Sequence, residues 1–209
     1  MIWGVTGCSG TGASTVAAVW EKLGASVCSL DRVGHGFLEK TCVKEALQSR
    51  LSIQGLSEMP ADAIRRKLRE CTFGNPLILA GLNDIMHPRL RRWVTSSAEI
   101  VRATRGVFVL DAALIFELGL EHIPDYLVTV TDQQERVIER LMRRDGITVE
   151  TAIGRWSSQI SLKGKSSGSH FVIDNSGTVE MLRKRAEDFY TGVIKRMEDA
   201  NWHIEPEKS

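Results

Sequence analysis

Residues 1–15 read MIWGVTGCSGTGAST, and this stretch decides the fold. Its first part, from Ile2 to Val5, is apolar and β-prone, the middle is rich in glycine, and a helix-compatible segment runs from Ser14 to Leu23. A strand, a glycine-rich loop and a helix in immediate succession are typical of a phosphate-binding P-loop. We therefore predict a phosphate site at the start of the chain.

The glycines of this loop follow the P-loop pattern G-x-x-x-x-G-K-[ST], with Gly7, Gly12 and Ser14 at three of its fixed positions. Gly7, Gly10 and Gly12 are expected to adopt backbone angles closed to other residues, so that successive N–H groups surround an anion at the positive end of the helix. The Ser14 hydroxyl is expected to bind Mg²⁺. Ala13 replaces the lysine of the pattern.

The replacement at Ala13 removes a positive charge but leaves the N–H groups of the loop, which belong to the backbone. In phosphoryl transfer, the loss of one donor to the phosphates costs about 3 kcal/mol, roughly a hundredfold in rate, unless another cation takes its place. The alternative interpretation is a glycine-rich turn between strand and helix that binds no ligand.

The composition is that of an ordinary globular protein with one core. The chain has 209 residues, of which 43% are hydrophobic and 25% charged, and its net charge of +1 gives no overall field for binding nucleic acid. The cysteines form no C-x-x-C pair and are predicted to be reduced packing residues. No apolar run approaches the length of a membrane span, and the loop begins too early for a signal peptide, so we expect a cytoplasmic protein.

A second strand is predicted at the short apolar run from Ala25 to Leu30, which ends at Asp31. Open α/β sheets bind ligands at the carboxyl ends of their parallel strands, which makes Asp31 a candidate site residue. Asp is also among the best residues for capping a helix, and the following segment has helical spacing. Capping is therefore an alternative role for Asp31.

Residues 41–105 have almost no strand character. Helical segments at 44–51, 60–72 and 76–105 are separated by breaks that contain glycine and proline. We predict a helical insertion between the second and third strands. The insertion carries clusters of arginine, for which a solvated helix face is the alternative explanation.

Apolar runs at 106–113 and 125–130, and a shorter one at 171–173, complete a prediction of five strands. Runs of this kind occur in parallel sheets that helices cover on both faces. Asp132 is expected to cap an arginine-rich helix that reaches Arg144. Residues 163–169 are expected to form a polar loop, and residues 179–200 the last helix, followed by a polar tail.

Taken in order, these segments resemble one family, the dephospho-CoA kinases. Besides the P-loop, the resemblance rests on Asp31, Leu82-Asn83 with His87-Pro88, Leu114-Ile115-Phe116-Glu117, Arg140 with Arg144, Gln159, and Val172-Ile173-Asp174-Asn175-Ser176-Gly177. The chain departs from the family pattern at Ala13, at Ser29 in place of a first aspartate, at Ala113 in place of a proline, and after Lys165, where the family often has another basic residue.

The resemblance implies the fold of an adenylate-kinase-like P-loop NTPase. This fold is a three-layer α/β sandwich with a parallel five-stranded sheet, a helical substrate-binding insertion and a lid. The nucleotide-binding core would comprise residues 1–40 and 106–209, with the lid at about 147–169. Residues 41–105 would form the CoA-binding insertion, and the whole chain one compact unit.

The resemblance also implies ATP- and Mg²⁺-dependent phosphorylation of the ribose 3′-hydroxyl of dephospho-CoA, the last step of coenzyme A synthesis. Asp31 would take the hydroxyl proton, and Arg140 would stabilise the transferring group. Expected ATP-binding residues are Gly10, Thr11, Gly12, Ala13, Ser14, Thr15, Arg144, Asn175 and Gly177, with Ser14 also binding Mg²⁺. Expected substrate-binding residues are Arg65, His87 and Lys165. The expected partner is the small-molecule substrate, with neither nucleic acid nor membrane, and the expected state is a monomer or weak homo-oligomer.

Alternatives stay open at this point. Arg140 could instead pair with Glu139 or Asp145 on a solvated helix face. The chain could be a pseudokinase that binds adenine nucleotide or CoA-like ligands without transfer, or a kinase for another nucleoside or small alcohol. Cations that could replace the missing lysine are Arg144, Lys163, Lys165 or another nearby cation.

Overall fold

A computed structural model describes residues 1–199 of the chain. In this part of the chain, one sheet is formed by β1 (Ile2–Thr6), β2 (Ser26–Ser29), β3 (Phe108–Asp111), β4 (Tyr126–Thr131) and β5 (Phe171–Asp174). The order across the sheet is β2-β3-β1-β4-β5, and every neighbouring pair is parallel. The predicted five-stranded parallel sheet is confirmed.

Helices lie in every connection between consecutive strands except the one from β3 to β4. They are α1 (Ala13–Lys22), α2 (Leu30–Phe37), α3 (Thr41–Leu51), α4 (Ala61–Thr72), α5 (Pro76–Arg102), α6 (Gln134–Asp145), α7 (Val149–Ser157), α8 (Leu162–Ser167) and α9 (Val179–Asp199), with a 3₁₀ turn at Leu56–Glu58. The predicted helical segments between the second and third strands correspond to α3, α4 and α5. Ala200 and the predicted polar tail lie outside the described residues.

Both faces of the sheet are covered by helices, which explains why its strands are apolar without alternation. In β4, Leu127 belongs to the core shared with α2 to α5, whereas Val128 and Val130 belong to the core shared with α1 and α9. Successive side chains of a strand point to opposite faces, so a strand buried on both sides is mostly apolar and shows no polar–apolar alternation. The result is the predicted three-layer sandwich.

An aromatic cluster fixes α1, and with it the glycine-rich loop, against α9. Trp3 is fully buried and lies edge-on to Trp20, with 5.3 Å between their ring centroids. The indole N–H of Trp20 donates to the Ala186 carbonyl of α9 at 2.9 Å. Because Trp20 is on α1 and Ala186 on α9, this bond joins the two helices of the same layer.

The structure corrects the predictions for residues 163–169 and for Cys42. Residues predicted as the polar loop 163–169 lie mostly in α8, which begins after Ser161, whose hydroxyl accepts the Gly164 N–H at 3.2 Å. The cap and the burial of Lys165 outweigh the weak helix propensity of glycine and serine. Cys42 is exposed and is therefore not a packing residue, although all four cysteines are free thiols.

Across residues 1–199, none of the helices has the length and hydrophobicity that a membrane crossing requires.

Candidate active site

The glycine-rich loop between β1 and α1 has the backbone of an anion cradle. Gly12 is the N-cap of α1 with φ of 104°, and Gly10 has φ of 90°, both in the left-handed region that favours glycine. The φ of Gly7 lies outside that region, so the predicted need for an unusual backbone angle is wrong at this position. A glycine is needed there for lack of space. A Cβ at Gly7 would meet the Val130 carbonyl oxygen at 2.7 Å and the Thr11 hydroxyl.

Several N–H groups of this loop are free to bind a ligand. Among residues 1–199, no acceptor is bonded to the N–H groups of Gly10, Gly12, Ala13 or Ser14. These groups lie at the N-terminus of α1, where the helix dipole adds positive potential. Such an arrangement binds phosphate without any side chain.

Side-chain hydrogen bonds of Thr11 and Asn175 stabilise the conformation of the loop. The Thr11 hydroxyl donates to the Cys8 carbonyl at 2.9 Å, and Thr11 is fully buried. Asn175, 4% exposed at the end of β5, donates its side-chain amide to the Thr11 carbonyl at 2.8 Å. Both residues are predicted to bind ATP, and in this structure their side chains bond to the loop itself.

A cavity of about 1120 Å³ opens above the loop. Most of the predicted nucleotide-site residues line it, namely Gly10, Gly12, Ala13, Ser14, Thr15, Asp31, Arg140, Arg144, Asn175 and Gly177. Residues that sequence reasoning did not assign to the site line it as well, namely Asp111, Arg136, Glu139 and Arg143. We call this space the loop cavity.

Asp132 holds two arginines of α6 in the wall of the loop cavity. Its side chain is fully buried at the carboxyl end of β4, where it forms an ion pair with the Arg140 guanidinium and lies 3.2 Å from Nε of Arg136. Since a buried carboxylate requires such partners, Asp132 is a positioning residue and does not cap α6 as predicted. Asp132 is thus the partner of Arg140 in place of Glu139 or Asp145.

Arg144 lines the loop cavity at the end of α6 and is also paired. Its guanidinium donates twice to Asp145, at 2.8 and 3.0 Å. Asp145 accepts a further bond from Arg155 at 2.5 Å. The hydrogen bond from Arg144 is the main cause that lowers the pKa of Asp145, with Arg155 adding to it.

Two carboxylates, Asp31 and Asp111, lie at the ends of adjacent strands on the opposite wall of the loop cavity. Burial raises the pKa of Asp111 to about 6, while a hydrogen bond from Ser14 opposes the shift and the charge of Asp31 adds to it. Sequence reasoning missed Asp111. The rule that selected Asp31 applies equally to Asp111, which ends the strand β3.

A second, smaller cavity of about 310 Å³ lies between α2, α4 and α5. We call it the insertion cavity. Its walls include Arg65 and His87, whose role in substrate binding stays a prediction, and also Asp31, which therefore lines both cavities. Burial is the main cause that lowers the pKa of His87, and the charge of Arg91 adds to it. His87 is thus kept neutral near physiological pH.

Lys165 lies outside the lining of both cavities. Its side chain is fully buried, its ammonium is 3.0 Å from a Glu117 carboxylate oxygen, and it donates to the Ala113 carbonyl. Glu117 also accepts the Ile160 N–H at 2.9 Å, so the pair ties α8 to the segment after β3. An acceptor would reach Lys165 only after α8 moves, and its role in substrate binding stays a prediction.

The region predicted as the lid contacts the loop directly. Oε1 of Gln159, just after α7, accepts the Ser9 N–H of the loop at 2.8 Å. This bond connects the segment after α7 with the phosphate cradle.

These features define a class of protein, the P-loop kinases: a parallel sheet, a glycine-rich loop at the N-terminus of α1, and an arginine-bearing helix that faces the loop. The family model described as Dephospho-CoA kinase matches residues 1–180. The chain belongs to the dephospho-CoA kinase family.

Individual relatives agree with this assignment. The chain is 33% identical over 181 residues to the dephospho-CoA kinase of Bacillus licheniformis, covering 86% of this chain and 90% of that protein. It is 32% identical over 200 residues to the dephospho-CoA kinase of Corynebacterium diphtheriae, covering 94% of this chain and 99% of that protein. The solved structure of dephospho-CoA kinase from Campylobacter jejuni has the same fold, with a TM-score of 0.68 at 24% identity, covering 96% of this chain and 98% of that chain.

Proposed function

We propose that this chain transfers the γ-phosphoryl group of ATP to the ribose 3′-hydroxyl of dephospho-CoA. The observation that carries the proposal is the position of Asp31, which lines both the loop cavity and the insertion cavity. A donor phosphate in one cavity and an acceptor hydroxyl in the other would meet at this carboxylate. Asp31 would accept the hydroxyl proton as the phosphoryl group arrives.

The donor side of the proposal rests on backbone groups and two oxygen ligands. The free N–H groups of the loop would hold the phosphates of ATP. The Ser14 hydroxyl and the Asp111 carboxylate both line the loop cavity, and hard oxygen ligands of this kind fit Mg²⁺. When bound there, Mg²⁺ would neutralise charge on the β- and γ-phosphates.

Arg140 is the proposed source of charge stabilisation during transfer. Its pairing with the buried Asp132 fixes the guanidinium in the cavity wall before substrate binds. A donor that is already oriented has little reorganisation to undergo when charge develops on the transferring group, which makes it an effective catalyst. The planar guanidinium also matches the geometry of phosphate oxygens.

The acceptor side rests on the insertion cavity. Its lining combines apolar side chains, such as Leu68 and Leu90, with the cations Arg65 and Arg69. This mixture suits an acceptor that has both an apolar arm and phosphate groups, as dephospho-CoA does. We therefore infer that residues 41–105 act as the acceptor-binding insertion. We also infer that residues 147–169 act as a lid over the nucleotide.

A second candidate function is nucleotide binding without transfer, and Ala13 is the observation that favours it. The N–H groups of the loop alone can bind a nucleotide, whereas efficient transfer needs a cation near the terminal phosphates. The two functions differ in whether product forms, so the same experiment tests both.

The experiment is a coupled assay of ADP release with ATP, Mg²⁺ and dephospho-CoA, comparing the wild type with Asp31→Asn. We expect the substitution to lower kcat by about 10²- to 10⁴-fold, because it removes a general base, while calorimetry finds nearly unchanged affinity for both substrates. Asp188→Asn, at an exposed position on α9, is the matched control and should behave as the wild type. A wild type that binds both substrates without turnover would support the second candidate, and turnover retained in Asp31→Asn would rule out the role of Asp31.

A further inference from the structure

The loop cavity must supply a cation for the terminal phosphates of ATP, because Ala13 cannot. Among residues 1–199, the cations that line this cavity are Arg136, Arg140, Arg143 and Arg144, all of them on α6. Lys163 and Lys165 do not line it, and Lys165 is buried against Glu117. Within the described residues, the cations placed to replace the missing lysine therefore all belong to α6.

Three of these four arginines already have carboxylate partners. Arg136 and Arg140 share Asp132, and Arg144 binds Asp145. Within residues 1–199, the Arg143 side chain has neither an ion pair nor a hydrogen bond, and it is exposed to the cavity. No carboxylate of the described residues lies within ion-pair distance of its guanidinium, so it is the arginine most available to a phosphate.

The geometry of α6 places Arg143 on the face that looks into the loop cavity. At about 100° per residue, Arg136, Arg140 and Arg143 fall within an arc of about 60° around the helix. The helix packs directly on the loop, because a Cβ at Gly10 would lie 3.1 Å from both Val137 and Leu141. Arg143 is thus carried by a helix that touches the phosphate cradle.

We propose that Arg143 binds the β- and γ-phosphates of ATP and takes the place of the P-loop lysine. This inference rests on the proposed function only in taking ATP as the phosphoryl donor. The guanidinium has no protein partner to give up, so the full gain of a charge-assisted contact is available. Its planar fork can bond two phosphate oxygens at once, which a lysine cannot do with the same geometry.

Calorimetric titration with ATP and with AMP, both in the presence of Mg²⁺, tests the proposal without any acceptor. We expect Arg143→Gln to weaken ATP binding by about 10- to 100-fold, as for loss of a hydrogen-bonded charge. AMP binding should change little, because AMP has neither a β- nor a γ-phosphate. Arg92→Gln is the matched control, an exposed arginine on α5 that lines neither cavity.

A double-mutant cycle with Ala13→Lys shows whether the two positions share one role. If Arg143 replaces the lysine, Arg143→Gln should weaken ATP binding much less in the Ala13→Lys background than in the wild type. Equal losses in both backgrounds, or an equal effect on ATP and AMP, would overturn the proposal. Thermal unfolding of each variant without ligand establishes that a loss of binding is not a loss of folding.

The outcomes separate this inference from the proposed function. A wild type that forms product, together with an Arg143→Gln variant that binds ATP normally, overturns the inference alone. Binding of ATP that depends on Arg143, without phosphorylation of dephospho-CoA, supports the inference and overturns the proposed function. A wild type that does not bind ATP overturns both.

Discussion

Replacing Asp111 with asparagine should raise the free energy of unfolding, relative to the wild type, by more at neutral pH than in acid. Asp111 is half-buried beside the P-loop, next to the Ser14 hydroxyl and near the charges of Asp31 and Arg32. Burial and Asp31 disfavour the ionised form, and the Ser14 bond and Arg32 compensate only in part. The net effect raises the pKa from 3.8 to about 6.

The sign and size of the effect on the free energy of unfolding follow from this pKa shift. A group whose pKa is higher in the folded state stabilises the fold below its unfolded value and loses that contribution as the pH rises through the folded value. Asp111 is therefore favourable below pH 3.8, and ionising it costs up to about 3 kcal/mol by pH 7, since each pH unit corresponds to about 1.4 kcal/mol. The asparagine of the variant would carry no charge at any of these pH values.

Urea unfolding followed by tryptophan fluorescence between pH 4 and pH 8 measures this effect. The free energy of unfolding of Asp111→Asn minus that of the wild type should rise by about 2–3 kcal/mol from pH 4 to pH 8, with most of the change between pH 4 and 6. The exposed Asp188→Asn should show no comparable trend. A difference that is constant with pH, or that falls as pH rises, would refute the argument from burial.

Two further predictions concern the supports of the site. Glu117→Gln should lower the free energy of unfolding by about 3–5 kcal/mol, because it leaves the Lys165 ammonium buried without its carboxylate. Urea unfolding measures this loss, and a loss below about 1 kcal/mol would contradict the prediction. Gly7→Ala should lower the free energy of unfolding by about 1–3 kcal/mol and weaken nucleotide binding, because the added Cβ would meet the Val130 carbonyl. The control Gly36→Ala, whose Cβ would lie in open space on α2, should be tolerated. Equal effects of the two substitutions would contradict the steric argument.

The fold could be predicted from the sequence because its main signals are local. The P-loop glycines are an uninterrupted motif, and the strand Tyr126–Thr131 is a continuous apolar run, which identifies a sheet covered on both faces. Asp31 could be selected in the same way, because its position at the end of an apolar run is visible in the sequence. Local pattern and final structure agree at these positions.

The parts that could not be predicted depend on contacts between distant residues. Helix α8 forms in a segment of glycine and serine because Lys165 inserts into the core and pairs with Glu117, 48 residues earlier. Asp132 looks like a helix cap until the structure shows both Arg136 and Arg140 bound to it. Sequence spacing gives no sign of which arginine on a helix is paired and which is free.

The most direct test of the proposed chemistry is the identity of the product. The wild type is incubated with ATP, Mg²⁺ and dephospho-CoA, and the reaction is followed by ³¹P NMR. We expect a new phosphomonoester signal coupled to the ribose 3′ proton, and its absence from a parallel reaction with Asp31→Asn. Consumption of ATP with release of inorganic phosphate alone, or phosphorylation at any other hydroxyl, would contradict the assignment of Asp31 to the junction of donor and acceptor.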